Sequence, residues 1–495
     1  MRAKTALLLL LLVPVAASAL ALSRPAPAHA HADVRLENVP HVRQLPDFCG
    51  EACASMALGR LGYRVDQRDV FNLAGIDPAL GRGAHTAELA RALERIGFEV
   101  GQVWHPIEPA RAAEQVEAAF NSMLDDLRRG FPSIVCMRYA DEPSTSEHFR
   151  LVVGYAAEGD AVLYHEPAES GGAYRRMARE LFEKLWTFKP RPERWTLIRL
   201  RLEPNRPAGG RSSSGPLVRG LEPPQIASAR ESELPRAADL AQHVLALKAR
   251  LAGERLTVVV QPPFVVVGDE APSKVRTRAE QTVAWTRRLL RKDFFERDPE
   301  EITDVFLFDG RESYERHARA LFGDLPKTPY GYYSPSNRAM RMNIAPGAGT
   351  LVHELVHPYV HANFPACPAW LNEGLASLFE RPGEVDGHLR GFPNWRLPAL
   401  QRAIRAQALS TFERLTSLSD EEFYRDEKGT HYAQARYLCY WLQERGLLVP
   451  FVHRFQAAAG DDPTGYKTLR AIIGAADMAS WQLDWERFVL GLRVG

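Results

Sequence analysis

Apolar residues recur at helical spacing between residues 49 and 61 (Ala52, Met56, Leu58, Leu61), and this spacing predicts a helix. A second is expected over residues 86–96, where Thr86 and Glu88 suit a start and Gly97 a stop. Strand-like runs follow at residues 133–137, 149–155 and 161–165. Helices first and an antiparallel sheet later make an α+β module. Further on, Leu240, Val244, Leu247 and Leu251 mark an amphipathic helix. Apolar runs at residues 256–260, 264–267 and 305–308 read as strands, alternating with a helical stretch around residues 278–290. Beyond Gly349 the pattern is mainly helical. The second half is also α+β, with its sheet first.

Residues 203–235 are rich in Pro, Gly and Ser and lack apolar periodicity, so they read as a flexible linker. They separate an N-terminal module, residues 33–202, from a C-terminal one, residues 236–495. Residues 1–32 place Arg2 and Lys4 ahead of the apolar run from Ala6 to Val13, followed by Ala-x-Ala triplets such as Ala28-His29-Ala30. That is the pattern of a signal peptide, with an uncleaved membrane anchor as the alternative. Residues 6–22 fall slightly short of the ~20 residues a span needs, and Pro14 interrupts them. The expectation is an exported protein, periplasmic or secreted, without a membrane span after signal cleavage.

Composition adds exclusions. The 495 residues are 45% apolar and 25% charged, as in ordinary globular chains. A formal net charge of +1 gives no field to attract nucleic acid, so no nucleic-acid partner is expected. Oligomeric state is left open. Five cysteines (Cys49, Cys53, Cys136, Cys367, Cys439) are too few for a disulfide scaffold, and an odd count leaves at least one unpaired.

His353-Glu354-Leu355-Val356-His357 follows a plausible helix start at Gly349-Thr350. Residues four apart on a helix share a face about 6 Å apart along the axis, so both imidazoles can bind one Zn2+ with Glu354 beside its water. A second helix is expected from Pro368 through Trp370-Leu371-Asn372-Glu373-Gly374-Leu375-Ala376 to Phe379, and its acidic residue can supply a third ligand. These two stretches look like the gluzincin metallopeptidases, specifically the bacterial MA-like peptidases. The resemblance implies a zincin-like domain with a mainly helical C-terminal half. In it His353, His357 and Glu373 would be ligands and Glu354 the general base. Asn372 and Ser377 are candidates for orienting the ligands, and Tyr432 or His431 for stabilising an oxyanion. Pro358 disfavours helical geometry in His357, so the helix is expected to kink or end there.

In the N-terminal module Cys49 opens a helix, where the dipole can lower a thiol pKa to about 3.5–7.5. His148 opens one strand and Glu166 follows the next, giving the order thiol, base, carboxylate that nucleophilic catalysis needs. The segments from Gln44 to Gly62 and from His148 to Tyr155 resemble the papain-like peptidases that trim bacteriocin leaders. By that resemblance the module has a papain-like cysteine-peptidase fold. The resemblance implies that Gln44 would line the oxyanion hole, Cys49 would attack, His148 would be the base and Glu166 the orienter, where the family usually has Asp or Asn. The combined expectation is an exported peptidase acting on peptides or proteins. The alternative is a non-catalytic binder of peptides or cell-wall fragments built on inactive peptidase folds.

Overall fold

The computed structural model describes residues 31–204 and 236–494, apart from 324, 325, 327 and 427. The signal-peptide reading of residues 1–30 and the linker reading of residues 205–235 lie outside the described residues. His31, grouped with the signal segment on sequence grounds, packs in the N-terminal module with its ring edge-on to Tyr155 at 5.6 Å.

The N-terminal helices are α1 (Cys49–Arg60), α2 (Gln67–Ala74), α3 (Thr86–Ile96), α4 (Ala112–Arg128) and α5 (Arg179–Trp186). Its strands are β1 (Val34–Arg35), β2 (Phe98–Glu99), β3 (Trp104–Ile107), β4 (Ser133–Arg138), β5 (Glu147–Ala156), β6 (Ala161–His165), β7 (Arg175–Ala178), β8 (Phe188–Arg191), β9 (Arg194–Leu200) and β10 (Glu203–Pro204). The main sheet runs β3-β9-β4-β5-β6-β7, every pair antiparallel. Helix α1 is buried from Gly50 through Leu58 because its residues are small. A Cβ on Gly50 would stand 3.0 Å from Leu89 of α3 and 3.1 Å from Phe149 of β5. The residue after the thiol is therefore glycine because α1 is wedged between sheet and helix. Glu203 and Pro204, assigned to the linker from composition, instead pair with Glu99 and Phe98. Backbone pairing overrode a Pro-rich context.

The C-terminal module begins with α6 (Ala237–Arg250), β11 (Thr257–Gln261), β12 (Phe264–Gly268), α7 (Pro272–Arg278), α8 (Trp285–Asp293), β13 (Thr303–Phe308), α9 (Arg311–Phe322), β14 (Gly331–Ser334) and β15 (Ala339–Asn343). There follow α10 (Gly349–Asn363), α11 (Ala369–Leu378), β16 (Pro382–Val385), β17 (His388–Gly391), α12 (Leu397–Arg405), α13 (Phe412–Thr416), α14 (Asp420–Tyr424), α15 (Thr430–Glu444), α16 (Leu448–Ala458), α17 (Tyr466–Ile473) and α18 (Met478–Gly491). Strand order is β11-β12-β13-β15-β14, with β12, β13 and β15 mutually parallel and β14 antiparallel at the edge. Alternation divides the sheet's faces. Val265, Val267, Phe306 and Phe308 pack with Leu240 and Val244 of α6 and Tyr314 of α9. Phe264, Val266, Val305 and Leu307 pack with Leu289 and Leu351 on the other face.

The sequence expects a kink or end at Pro358, yet α10 continues to Asn363. Its last turn is fastened from outside. The Tyr359 hydroxyl donates to Asp298 at 2.6 Å, and the Asn363 side chain both accepts from the Arg297 amide and donates to the Arg297 carbonyl, each at 2.9 Å. These contacts offset the hydrogen bond that proline removes.

Helix α6 is shared. Ala238 and Ala241 join the N-terminal core, whereas Leu240, Val244 and Leu247 join the core against β12 and β13. Arg68 of α2 pairs with Asp239 at 3.0 Å, and the Gln242 amide donates to the Pro46 carbonyl at 2.9 Å. Among the described residues no helix is long and apolar enough to cross a membrane, and all five cysteines are free.

Candidate functional site

One turn of α10 places His353 and His357 side by side, ring centroids 5.0 Å apart. Helix α11 brings Glu373 to them, and one donor atom from each of the three lies within 4.8 Å of the others. His353 Nε2 is 3.4 Å from Glu373 Oε2. Two ligand atoms about 2.0–2.2 Å from a tetrahedral cation lie roughly 3.3–3.6 Å apart, so this pair already has that spacing. The outward atoms are occupied or faced. His357 Nδ1 pairs with Asn372 Oδ1 at 3.0 Å, and His353 Nδ1 faces Glu380 Oε1 at 3.6 Å. The Tyr424 hydroxyl donates to Glu373 Oε1 at 2.9 Å, while buried Glu373 Oε2 has no hydrogen-bond partner. An orphaned carboxylate oxygen facing an imidazole, with second atoms steered outward, fits a divalent cation such as zinc.

Electrostatics point the same way. Burial pulls the His353 imidazole down, but the carboxylates of Glu373, Glu354 and Glu380 outweigh it and raise its pKa to about 9. Burial pushes Glu373 up, yet the two imidazoles and the Tyr424 hydroxyl hold it at about 2. Glu354 is raised, chiefly by burial. Three carboxylates crowding two imidazoles form a pocket hungry for positive charge.

Glu354 sits beside the His/His/Glu set, its Oε2 3.8 Å from His357 Nε2. The same oxygen accepts the backbone N–H of Tyr333 at 2.9 Å. Tyr333 belongs to β14, which among the described residues pairs with β15 alone, and the Tyr333 amide on its outer edge faces the cleft. Two hollows, of about 460 and 530 Å3, meet here and share His353, Glu354 and Tyr432. Burial keeps the Tyr432 hydroxyl protonated as a donor. His431 does other work: its amide donates to Asp426 at 2.6 Å and its ring faces the Phe423 carbonyl, closing the α14–α15 turn. Ser377 is fully buried, and its hydroxyl makes no hydrogen bond to the three residues. Glu380 and Tyr424 escape sequence reasoning because neither lies in a spaced motif.

In the N-terminal module, strand register assembles the second constellation. His165 pairs with Leu151, so the next residue, Glu166, comes beside Arg150 on the face that also carries His148. His148 Nε2 meets Glu166 Oε1 at 2.5 Å, Arg150 Nε donates to Glu166 Oε2 at 2.7 Å, and all three are buried. The extra methylene of glutamate therefore does not prevent the pairing. Burial raises Glu166, but His148 and Arg150 outweigh it and lower its pKa. Gln44 lies on a loop clamped by Gln67, which accepts the Leu45 amide at 2.8 Å and donates to the Arg43 carbonyl at 3.1 Å. The Gln44 amide reaches the Pro167 carbonyl at 2.8 Å, so the loop is tied to the Glu166 end of the sheet.

The thiol departs from expectation. Burial, with the charges of Glu51 and Asp47, raises Cys49 to about 11, against the smaller pull of the Phe149 and Gly50 amides. Among the described hydrogen bonds none joins Cys49 to His148. The sequence expects a lowered thiol pKa at the helix start; burial of Cys49 acts in the opposite direction.

Among curated proteins none matches the chain. Residues 36–189 match the model of the Peptidase_C39 like family, which, with the order of thiol, base and carboxylate just described, supports a papain-like peptidase domain in the N-terminal module.

Proposed function

We propose that the chain is a peptidase that hydrolyses peptide bonds at the His353–His357–Glu373 centre with zinc. The reading is carried by one observation: three donors from two helices converge within 4.8 Å with a fourth group, Glu354, beside them. When bound, zinc acts as a Lewis acid that lowers the pKa of a coordinated water toward about 7 and polarises a carbonyl. Glu354, its charged form disfavoured by burial, is suited to take the water's proton and deliver it to the leaving amine. The Tyr432 hydroxyl, common to both hollows, can donate to the developing oxyanion. The outer edge of β14 offers backbone groups to an extended peptide laid along the cleft. The character of residues 1–32 supports an exported enzyme.

Hydrolysis of a broad peptide mixture by the full chain, read by mass spectrometry of the new termini, tests this. Glu354→Gln is expected to lower turnover by at least about a hundredfold while zinc content stays at the wild-type level. Equal turnover in the two proteins would refute it.

A second reading, cysteine-type hydrolysis at Cys49, is favoured by the family match and the His148–Glu166 pair. With the thiol raised to about 11, iodoacetamide labelling of Cys49 is expected to accelerate roughly tenfold per pH unit between pH 7 and 10. A plateau already reached near pH 7 would instead show a thiolate formed by the His148 pair.

A further inference from the structure

The larger hollow beside the catalytic groups has an unusual lining. Tyr330 is 49% and Trp395 66% exposed, and with Tyr432 they line the hollow alongside Gly347, Gly349 and Thr350. Exposed apolar surface is informative where it is grouped, and here two exposed aromatic rings line one hollow beside the centre. Trp395 is not loose. The Arg396 guanidinium lies 4.3 Å from its ring centroid and 5.3 Å from that of Tyr432, and Glu380 grips that guanidinium with both oxygens. One face of the indole is thus backed by a cation held in place, which sets the ring for a partner.

The described charged side chains around this hollow are engaged within the fold. Arg396 and Glu380 satisfy each other. Asp426 accepts the amides of Lys428 at 3.1 Å and His431 at 2.6 Å. His353 and Glu354 belong to the catalytic centre described above. Among the described residues, what remains for an incoming side chain is mostly aromatic and small surface, and the Asp426 carboxylate, held by two backbone amides, repels Asp and Glu.

Resting on the reading of the His353–His357–Glu373 centre as a peptidase, we infer that the hollow walled by Trp395 and Tyr330 is a specificity subsite. It receives a large, uncharged aromatic side chain from the residue flanking the scissile bond. Trp395 and Tyr330 stack on the ring in offset or edge-on geometry, and the small residues alongside leave room for it.

Binding can be separated from turnover. In the zinc-loaded Glu354→Gln full chain, calorimetric titration with end-blocked Ala-Ala-Xaa-Ala-Ala peptides (Xaa = Phe, Leu, Ala, Asp, Lys) is expected to rank Phe first. The Phe peptide should bind at least about tenfold tighter than the Ala peptide. Trp395→Ala added to that protein should erase the gap between Phe and Ala, Tyr330→Ala should narrow it, and Trp395→Phe should preserve it, with zinc content as the check on folding. Equal affinities across the series, no binding of any peptide, or a Phe preference that survives Trp395→Ala would overturn the subsite. Wild-type hydrolysis of the same peptides reads the parent proposal independently. Phe-selective binding without any turnover would defeat the peptidase reading and leave the subsite standing.

Discussion

Glu51, two residues beyond the thiol, is fully buried, with one oxygen on the Ala84 amide at 2.6 Å and the other unpartnered. Burial, aided by the charges of Asp47 and Glu88, raises its pKa from 4.5 to about 7. The folded chain therefore holds this proton more tightly than the unfolded chain does. Stability falls as pH rises from about 4.5 through about 7, by on the order of 3 kcal/mol, and that loss is absent below the window. Glu51→Gln should accordingly raise the urea midpoint at pH 8 and leave it near wild type at pH 4.5. A variant tracking wild type at both pH values would show that Glu51 does not carry this penalty. At this scale the sequence was partly readable. The spacing of His353 and His357 and the Asn372-Glu373 pair singled out residues that the fold brings together. Glu380 and Tyr424 come from a helix exit and a short helix whose approach depends on tertiary packing. The raised Cys49 thiol was equally hidden, since desolvation is a property of neighbours rather than of position on a helix.

Among elements, the close approach of α11 to α15 governs how Glu373 is presented. A Cβ on Gly374 would stand 3.1 Å from the carbonyl carbon and oxygen of Ala435, so a side chain there needs the Ala435 backbone to give way. Gly374→Ala must push the helices apart and is expected to cost about 1–3 kcal/mol. Because Glu373 is the preceding residue, zinc affinity should fall along with the thermal midpoint. Competition with a chromophoric chelator measures the first and calorimetry the second; wild-type values for both would contradict this account of the packing. Helices with a clear apolar stripe were legible, and α3 spans the expected residues 86–96. Helix α10 does not end at Pro358, where a kink or an end is expected, because Asp298 and Arg297 hold its last turn, contacts that no local pattern contains. Strands β14 and β15 were missed: their Tyr, Ser, Arg and Met residues carry no apolar run, although β14 supplies the amide that meets Glu354.

Across the whole molecule, α6 belongs to two cores at once, with alanines toward the N-terminal module and leucine and valine toward the second sheet. Its amphipathic pattern was readable from the sequence, but its service to the N-terminal module was not, since small alanines on the polar side leave no periodic signal. The two candidate centres lie in separate modules, and the zinc proposal stands or falls on the C-terminal one. Its most direct test is the metal content of the purified full chain beside His353→Ala, determined by inductively coupled plasma mass spectrometry. The account predicts one zinc per wild-type chain and almost none in the variant. A wild-type chain without stoichiometric metal after zinc reconstitution, or a variant that holds as much as wild type, would contradict it.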